Sequence, residues 1–194
     1  MRIKYNSPVV LTFTFICAAV LILSQTVFRG LNRTWFMVPG RGGFYAGNAR
    51  CWVTLLTHVM GHANWTHLLA NFSFILLIGP ILEEYYGSLR LLFMMIVTAL
   101  ATGILNALLF SGSLMGASGV AFMMILLISF TNFSGKEIPL TFILVLVLYL
   151  GRELIHSFSS NTVSEFAHIV GGFCGCLFGF FRTPPGKPRA KRVD

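Results

Sequence analysis

Charge is what this sequence has least of. Asp, Glu, Lys and Arg make up 10% of its 194 residues and hydrophobic residues 56%, whereas a soluble domain is about 25% charged. A soluble globular protein is thereby excluded, and a membrane protein is left. Carboxylates are scarcer still, and the only aspartate is Asp194, at the last position. An aspartate-pair mechanism and an Asp-anchored Ser-His-Asp triad both fall away. There is no His-Glu-x-x-His either, so His58, His62 and His67 have no carboxylate companion for zinc hydrolysis, and no metal is expected. The cysteines build no framework. Cys17, Cys174 and Cys176 lie inside apolar runs, Cys174 and Cys176 point to different faces of a helix, and Cys51 stands alone. Internal repeats and interrupted apolar runs are missing too, which argues against a transporter.

What is present is apolar sequence in lengths that suit a bilayer, whose core takes a helix of roughly 20 residues to cross. Mean hydropathy is +0.79, and the apolar runs cover residues 8–28, 66–82, 89–110, 115–131, 139–156 and 166–181. They predict an all-α, polytopic membrane protein of six helices in a single domain over 1–194, with a basic tail at 182–194. The first run is too long for the apolar core of a signal peptide and lacks a small-x-small exit, so it is read as a retained helix. Residues 31–52 form a connecting segment with Pro39, several glycines and the aromatics Trp35, Phe36, Phe44, Tyr45 and Trp52. Such rings favour the headgroup level, so the segment is expected along the membrane surface.

The formal net charge is +8, but the basic residues cluster at the ends of apolar runs and form no interleaved basic and aromatic surface. The lipid bilayer is the expected partner, and nucleic acid is not. Arg2, Lys4, Arg90, Lys136 and the five basic residues of the tail outnumber Arg29, Arg33, Arg41, Arg50 and Arg152. Lys and Arg are retained on the cytoplasmic side, so both termini are expected there, in a cell membrane.

With the N-terminus inside, the helices at 66–82, 115–131 and 166–181 all start on the outer side. Each carries its conspicuous polar residues at that end: His67 and Asn71, then Ser118, then His168. Such groups are costly inside a membrane bundle and are functional candidates. Taken singly, Ser118 could serve packing, Asn71 an interhelical bond, and His168 a bonded position in the core. In matched register they point to a nucleophile and its base, because a serine hydroxyl attacks only when a base takes its proton. Gly116 and Gly119 clear the space on either side of Ser118. Gly171, Gly175 and Gly179, spaced by four, let the last helix approach closely. Acyl transfer also needs donors for the developing oxyanion. His67 and Asn71 share a helical face, and the Ser118 backbone N–H lies near a helix N-terminus.

Three stretches, His62-Ala63-Asn64-Trp65-Thr66-His67-Leu68-Leu69-Ala70-Asn71, Gly116-Ala117-Ser118-Gly119 and Ala167-His168-Ile169-Val170-Gly171, resemble in order and spacing the rhomboid family of intramembrane serine proteases. The resemblance implies Ser118 as nucleophile, His168 as base, and His67, Asn71 and the Ser118 amide as oxyanion site. It further implies a six-helix bundle, no cofactor, and cleavage of single-span transmembrane proteins near the outer membrane surface. Glu83 and Gly87-Ser88 match positions that the family uses to fix its inner end. The sequence departs from the family pattern at three places. Val53-Thr54 stand where many relatives carry Trp-Arg, Phe166 replaces a glycine, and Phe122 replaces a tyrosine that packs on the catalytic histidine. A rhomboid-like protein that only binds or escorts membrane clients is the alternative, and it predicts loss of the serine or histidine, both of which are present.

Overall fold

The computed structural model describes residues 3–132, 140–145, 147–148 and 163–181. Its helices are α1 (Pro8–Thr26), α2 (Leu31–Trp35), α3 (Ala49–Thr57), α4 (Trp65–Tyr86), α5 (Ser88–Leu109), α6 (Ser118–Ser129), α7 (Leu140–Val145) and α8 (Val163–Phe181). Among them, α1, α4 and α5 are long and apolar enough to cross a membrane, and α6 and α8 are shorter apolar helices. Phe15, Leu77, Phe93 and Leu108 are exposed on the outside of this bundle, a coat of large side chains suited to lipid. The run expected over 139–156 lies mostly outside the described residues; α7 falls within it.

One carboxylate ties the start of α1 to the turn between α4 and α5. Pro8 opens α1 without needing an acceptor for its own nitrogen, and the next two amides, of Val9 and Val10, both donate to Glu83 at 3.0 Å. The Ser88 hydroxyl donates to the same group at 2.7 Å. Gly87, at φ 85°, turns the chain from α4 directly into α5, a backbone region that favours glycine. Glu83 is thus buried in bonds, and α4 runs on through Glu83 and Glu84 to Tyr86, past the end expected at residue 82.

The 31–52 segment is more ordered than a simple connection. Gly30, at φ 102°, leads into α2, and the Asn48 side chain caps α3 by accepting the Arg50 N–H at 3.0 Å. An isolated antiparallel bridge joins Val38 to Leu114, with both N–H···O contacts at 3.0 Å. Gly103 of α5 lies against the Leu55 backbone, so α3 rests directly on α5.

The centre belongs to α6. Ten of its 12 residues are buried, as a helix apolar all round requires. It is only about 18 Å long, shorter than a hydrocarbon core of about 30 Å, and the 3-10 turn Phe130–Asn132 carries the chain on from its end. The helix expected from residue 115 starts instead at Ser118, because Gly116 takes φ 130° and cannot be helical. α8 packs on α6 through its glycine face: a methyl at Gly171 would overlap the Gly119 carbonyl oxygen, and one at Gly175 the Met123 carbonyl oxygen.

Candidate active site

Ser118 is the first residue of α6 and is 9% exposed. The turn before it is held from outside, since the Gly116 N–H donates to the His58 carbonyl at 2.9 Å. Gly116 has no room for a side chain: an added Cβ would stand 2.7 Å from Cε1 and Nε2 of His67 and 3.8 Å from Nδ2 of Asn71. His67 and Asn71, one turn apart on α4, therefore both face the turn that delivers Ser118. Asn64 caps α4 by accepting the His67 N–H at 2.8 Å, which fixes where that ring enters the bundle. Asn71 is buried, and its Nδ2 has no hydrogen-bond partner among the described residues. A buried amide donor left open is rare and costs about 1–3 kcal/mol.

His168 lies in the second turn of α8. Its imidazole stacks on Phe122, centroids 4.2 Å apart and planes 3° from parallel. Phe122 follows Ser118 by four residues and so shares its face of α6. Beside this pair the two backbones touch, for Gly119 lies against the Ala167 carbonyl and against Gly171. His67 is within electrostatic range of His168. The structure thus gathers His67, Asn71, Gly116 and Ser118 around one turn, and Gly119, Phe122, His168 and Gly171 along the adjoining helix contact. Among the described residues, no group of three or more His, Cys, Asp and Glu side chains converges as a metal site would need.

Two histidines set aside as a weak metal pair prove to be structural parts of this region. His58 is fully enclosed. Its Nδ1 donates to the carbonyls of Leu55 and Thr54 at 3.1 and 3.3 Å, its Nε2 faces the Thr102 hydroxyl at 3.3 Å, and its own carbonyl holds Gly116. Burial pushes its pKa down to about 4, so the ring is neutral. His62 is buried beside His67, ring centroids 5.1 Å apart. Burial first, and His67 second, push His62 down to about 4 as well. The signal for His58 was a histidine in an apolar stretch, which has to find partners.

The comparisons with known proteins give the family. A family model described as the Rhomboid domain matches residues 49–185. The chain belongs to the rhomboid family. Rhomboid relatives include the Rhomboid protease GlpG of Haemophilus influenzae, 22% identical over 178 residues, covering 90% of this chain and 91% of that one. The Rhomboid protease GlpG of Yersinia enterocolitica is 26% identical over 180 residues, covering 91% and 63%. RHOMBOID-like protein 7 of Arabidopsis thaliana is 34% identical over 134 residues, 65% of this chain but 41% of that longer one. The fold is accordingly an all-α rhomboid membrane bundle.

Each departure from the rhomboid pattern has a local structural counterpart. Phe122 keeps the stack on His168 without a hydroxyl. Phe166 packs on Phe110, centroids 4.5 Å apart. In the surface segment Trp52 donates to the Ala46 carbonyl at 2.9 Å and meets Phe44 edge-on at 5.4 Å, while Thr54 is buried and bonded to Cys51. The segment is anchored by these contacts and by Asn32, whose amide donates to the His62 carbonyl at 2.8 Å.

Proposed function

We propose that this chain is an intramembrane serine endopeptidase. Ser118 attacks the scissile carbonyl of a transmembrane segment while the His168 imidazole takes its proton. The developing oxyanion is received by Asn71, His67 and the Ser118 backbone N–H, which substitute fixed donors for water. His168 then protonates the departing amine, and water resolves the acyl-enzyme with His168 again as base. Gly116 and Gly119 leave room for the substrate backbone, and Phe122 and Gly171 hold His168 and α8 in place. No cofactor enters the chemistry. The substrates are transmembrane proteins, cut near the outer membrane surface, where local unwinding of their helix makes an amide accessible.

The observation that carries this reading is the open Nδ2 of Asn71, buried beside the Gly116 turn. A packing asparagine would have found an acceptor. The reading includes six crossings in one domain, both termini in the cytoplasm, and residence in a cell membrane. It also separates the chain from a rhomboid-like escort, which has no use for an activated serine. The test is a fluorophosphonate probe and a single-span substrate presented to the purified protein in liposomes. Ser118→Ala is expected to abolish labelling and to reduce cleavage by roughly a thousandfold or more. Undiminished cleavage by that variant, with the melting temperature unchanged, would sink the proposal.

A further inference from the structure

The arginines of the surface segment are unexplained by peptide cleavage, and two of them share a cavity. Between α2 and α3 lies a pocket of about 290 Å³ lined by Arg33, Thr34, Tyr45, Asn48, Arg50 and Thr54, among others, and no carboxylate lines it. The nearest acidic residues in sequence, Glu83 and Glu84, sit at the opposite end of α4. Both arginines are exposed, and the fork of N–H donors on each guanidinium matches phosphate oxygens, so the two together suit an anion. Tyr45, Thr34 and Asn48 add neutral hydrogen-bonding groups. A cavity this small suits a headgroup and not a whole lipid.

We propose that Arg33 and Arg50 bind the phosphate of an anionic phospholipid. Two further observations select a lipid over a free phosphate ester. Trp35, Tyr45 and Trp52 are 45%, 66% and 55% exposed around the cavity, as residues at the headgroup level are. Phe44 and Trp52, next in sequence to Tyr45 and Cys51 of the cavity wall, line an apolar groove of about 500 Å³ against Ile104, Ala107 and Leu108 of α5. Arg41 stands at this groove as well, and its apolar walls fit an acyl chain of the same lipid. The site accounts for basic residues at an end of the bundle where the retention rule places few, and it joins α2 to α3, the helix that leads into His58 and its hold on the Gly116 turn.

The experiment uses the full chain in neutral detergent micelles, with a short-chain fluorescent phosphatidylglycerol read by anisotropy. Phosphatidylglycerol is expected to bind more than roughly tenfold tighter than the matching phosphatidylcholine, and Arg33→Gln and Arg50→Gln each to weaken it roughly fivefold. Arg29→Gln removes the same charge from outside the cavity and is expected to stay within about twofold. Equal binding of the two lipids overturns the proposal. So does an Arg29→Gln loss as large as that of Arg33→Gln, which would mean diffuse surface charge. Displacement of the probe by glycerol 3-phosphate as readily as by unlabelled phosphatidylglycerol would overturn the lipid assignment, because the acyl groove would then contribute nothing.

Discussion

The His168 imidazole lies flat on the Phe122 ring, 4.2 Å between centroids and 3° from parallel, so a hydrocarbon face sets the plane of the proposed base. Such a stack is worth about 1 kcal/mol. Phe122→Ala is expected to lower kcat for cleavage of a single-span substrate by roughly fivefold to tenfold with KM little changed. Phe122→Tyr keeps the stack and is expected to stay near the parent rate. A Phe122→Ala enzyme of full activity would show that His168 is oriented by something else.

Asn71 presents a conflict between stability and activity. Its buried Nδ2 lacks an acceptor among the described residues, and removing such a group relieves about 1–3 kcal/mol of desolvation. An oxyanion donor, by contrast, is worth a hundredfold to roughly a thousandfold in kcat. Asn71→Leu is therefore expected to melt at or above the parent temperature while losing about a hundredfold in kcat. A variant that lost stability and kept its rate would make Asn71 a packing residue.

Much of this arrangement was legible in the sequence because polar residues are so rare in it. His67, Asn71, Ser118 and His168 stood out against apolar runs, and the spacing of Gly171, Gly175 and Gly179 announced a close helix contact. The unread part lay where signals are short or non-local. The α3 helix hid behind an Asn48 cap in a glycine-rich stretch, and the late start of α6 depended on the φ of Gly116. The hold of His58 on that turn runs through a backbone carbonyl, which no side-chain pattern reveals.

Gly171 tests the contact between α6 and α8. A methyl there would overlap the Gly119 carbonyl oxygen and stand 2.8 Å from its carbonyl carbon. Backbone cannot rotate away as a side chain can, so α8 must shift and carry His168 with it. Gly171→Ala is expected to destabilise by about 1–3 kcal/mol and to reduce cleavage by more than roughly tenfold. Gly47→Ala, where an added Cβ meets nothing within 4 Å, is the matched control and should change neither.

At the other end of the bundle, Glu83 accepts three hydrogen bonds, from the Val9 and Val10 amides and the Ser88 hydroxyl. Glu83→Ala strands two buried amides at the start of α1 and is expected to cost about 3 kcal/mol, read as a fall in melting temperature. Glu83→Gln keeps one acceptor oxygen and should cost less than half as much. Cleavage per folded molecule should hold in both, because Glu83 is remote from Ser118.

The neutral histidines between α3 and α4 give the fold an acid limit. His58 and His62 are held near 4, against 6.5 for the free side chain. Between those values the unfolded chain takes up protons that the folded chain refuses, so their stabilisation is whole above about pH 6.5 and is lost as the pH falls toward 4. The melting temperature in neutral micelles is therefore expected to drop between about pH 7 and about pH 4.5. His58→Asn can still donate to the Leu55 carbonyl but does not titrate, so its melting temperature should start lower and fall less steeply. A parent protein whose melting temperature held or rose on acidification would mean that the His58 and His62 rings take up protons in place, and that the Gly116 turn is not anchored by a neutral core.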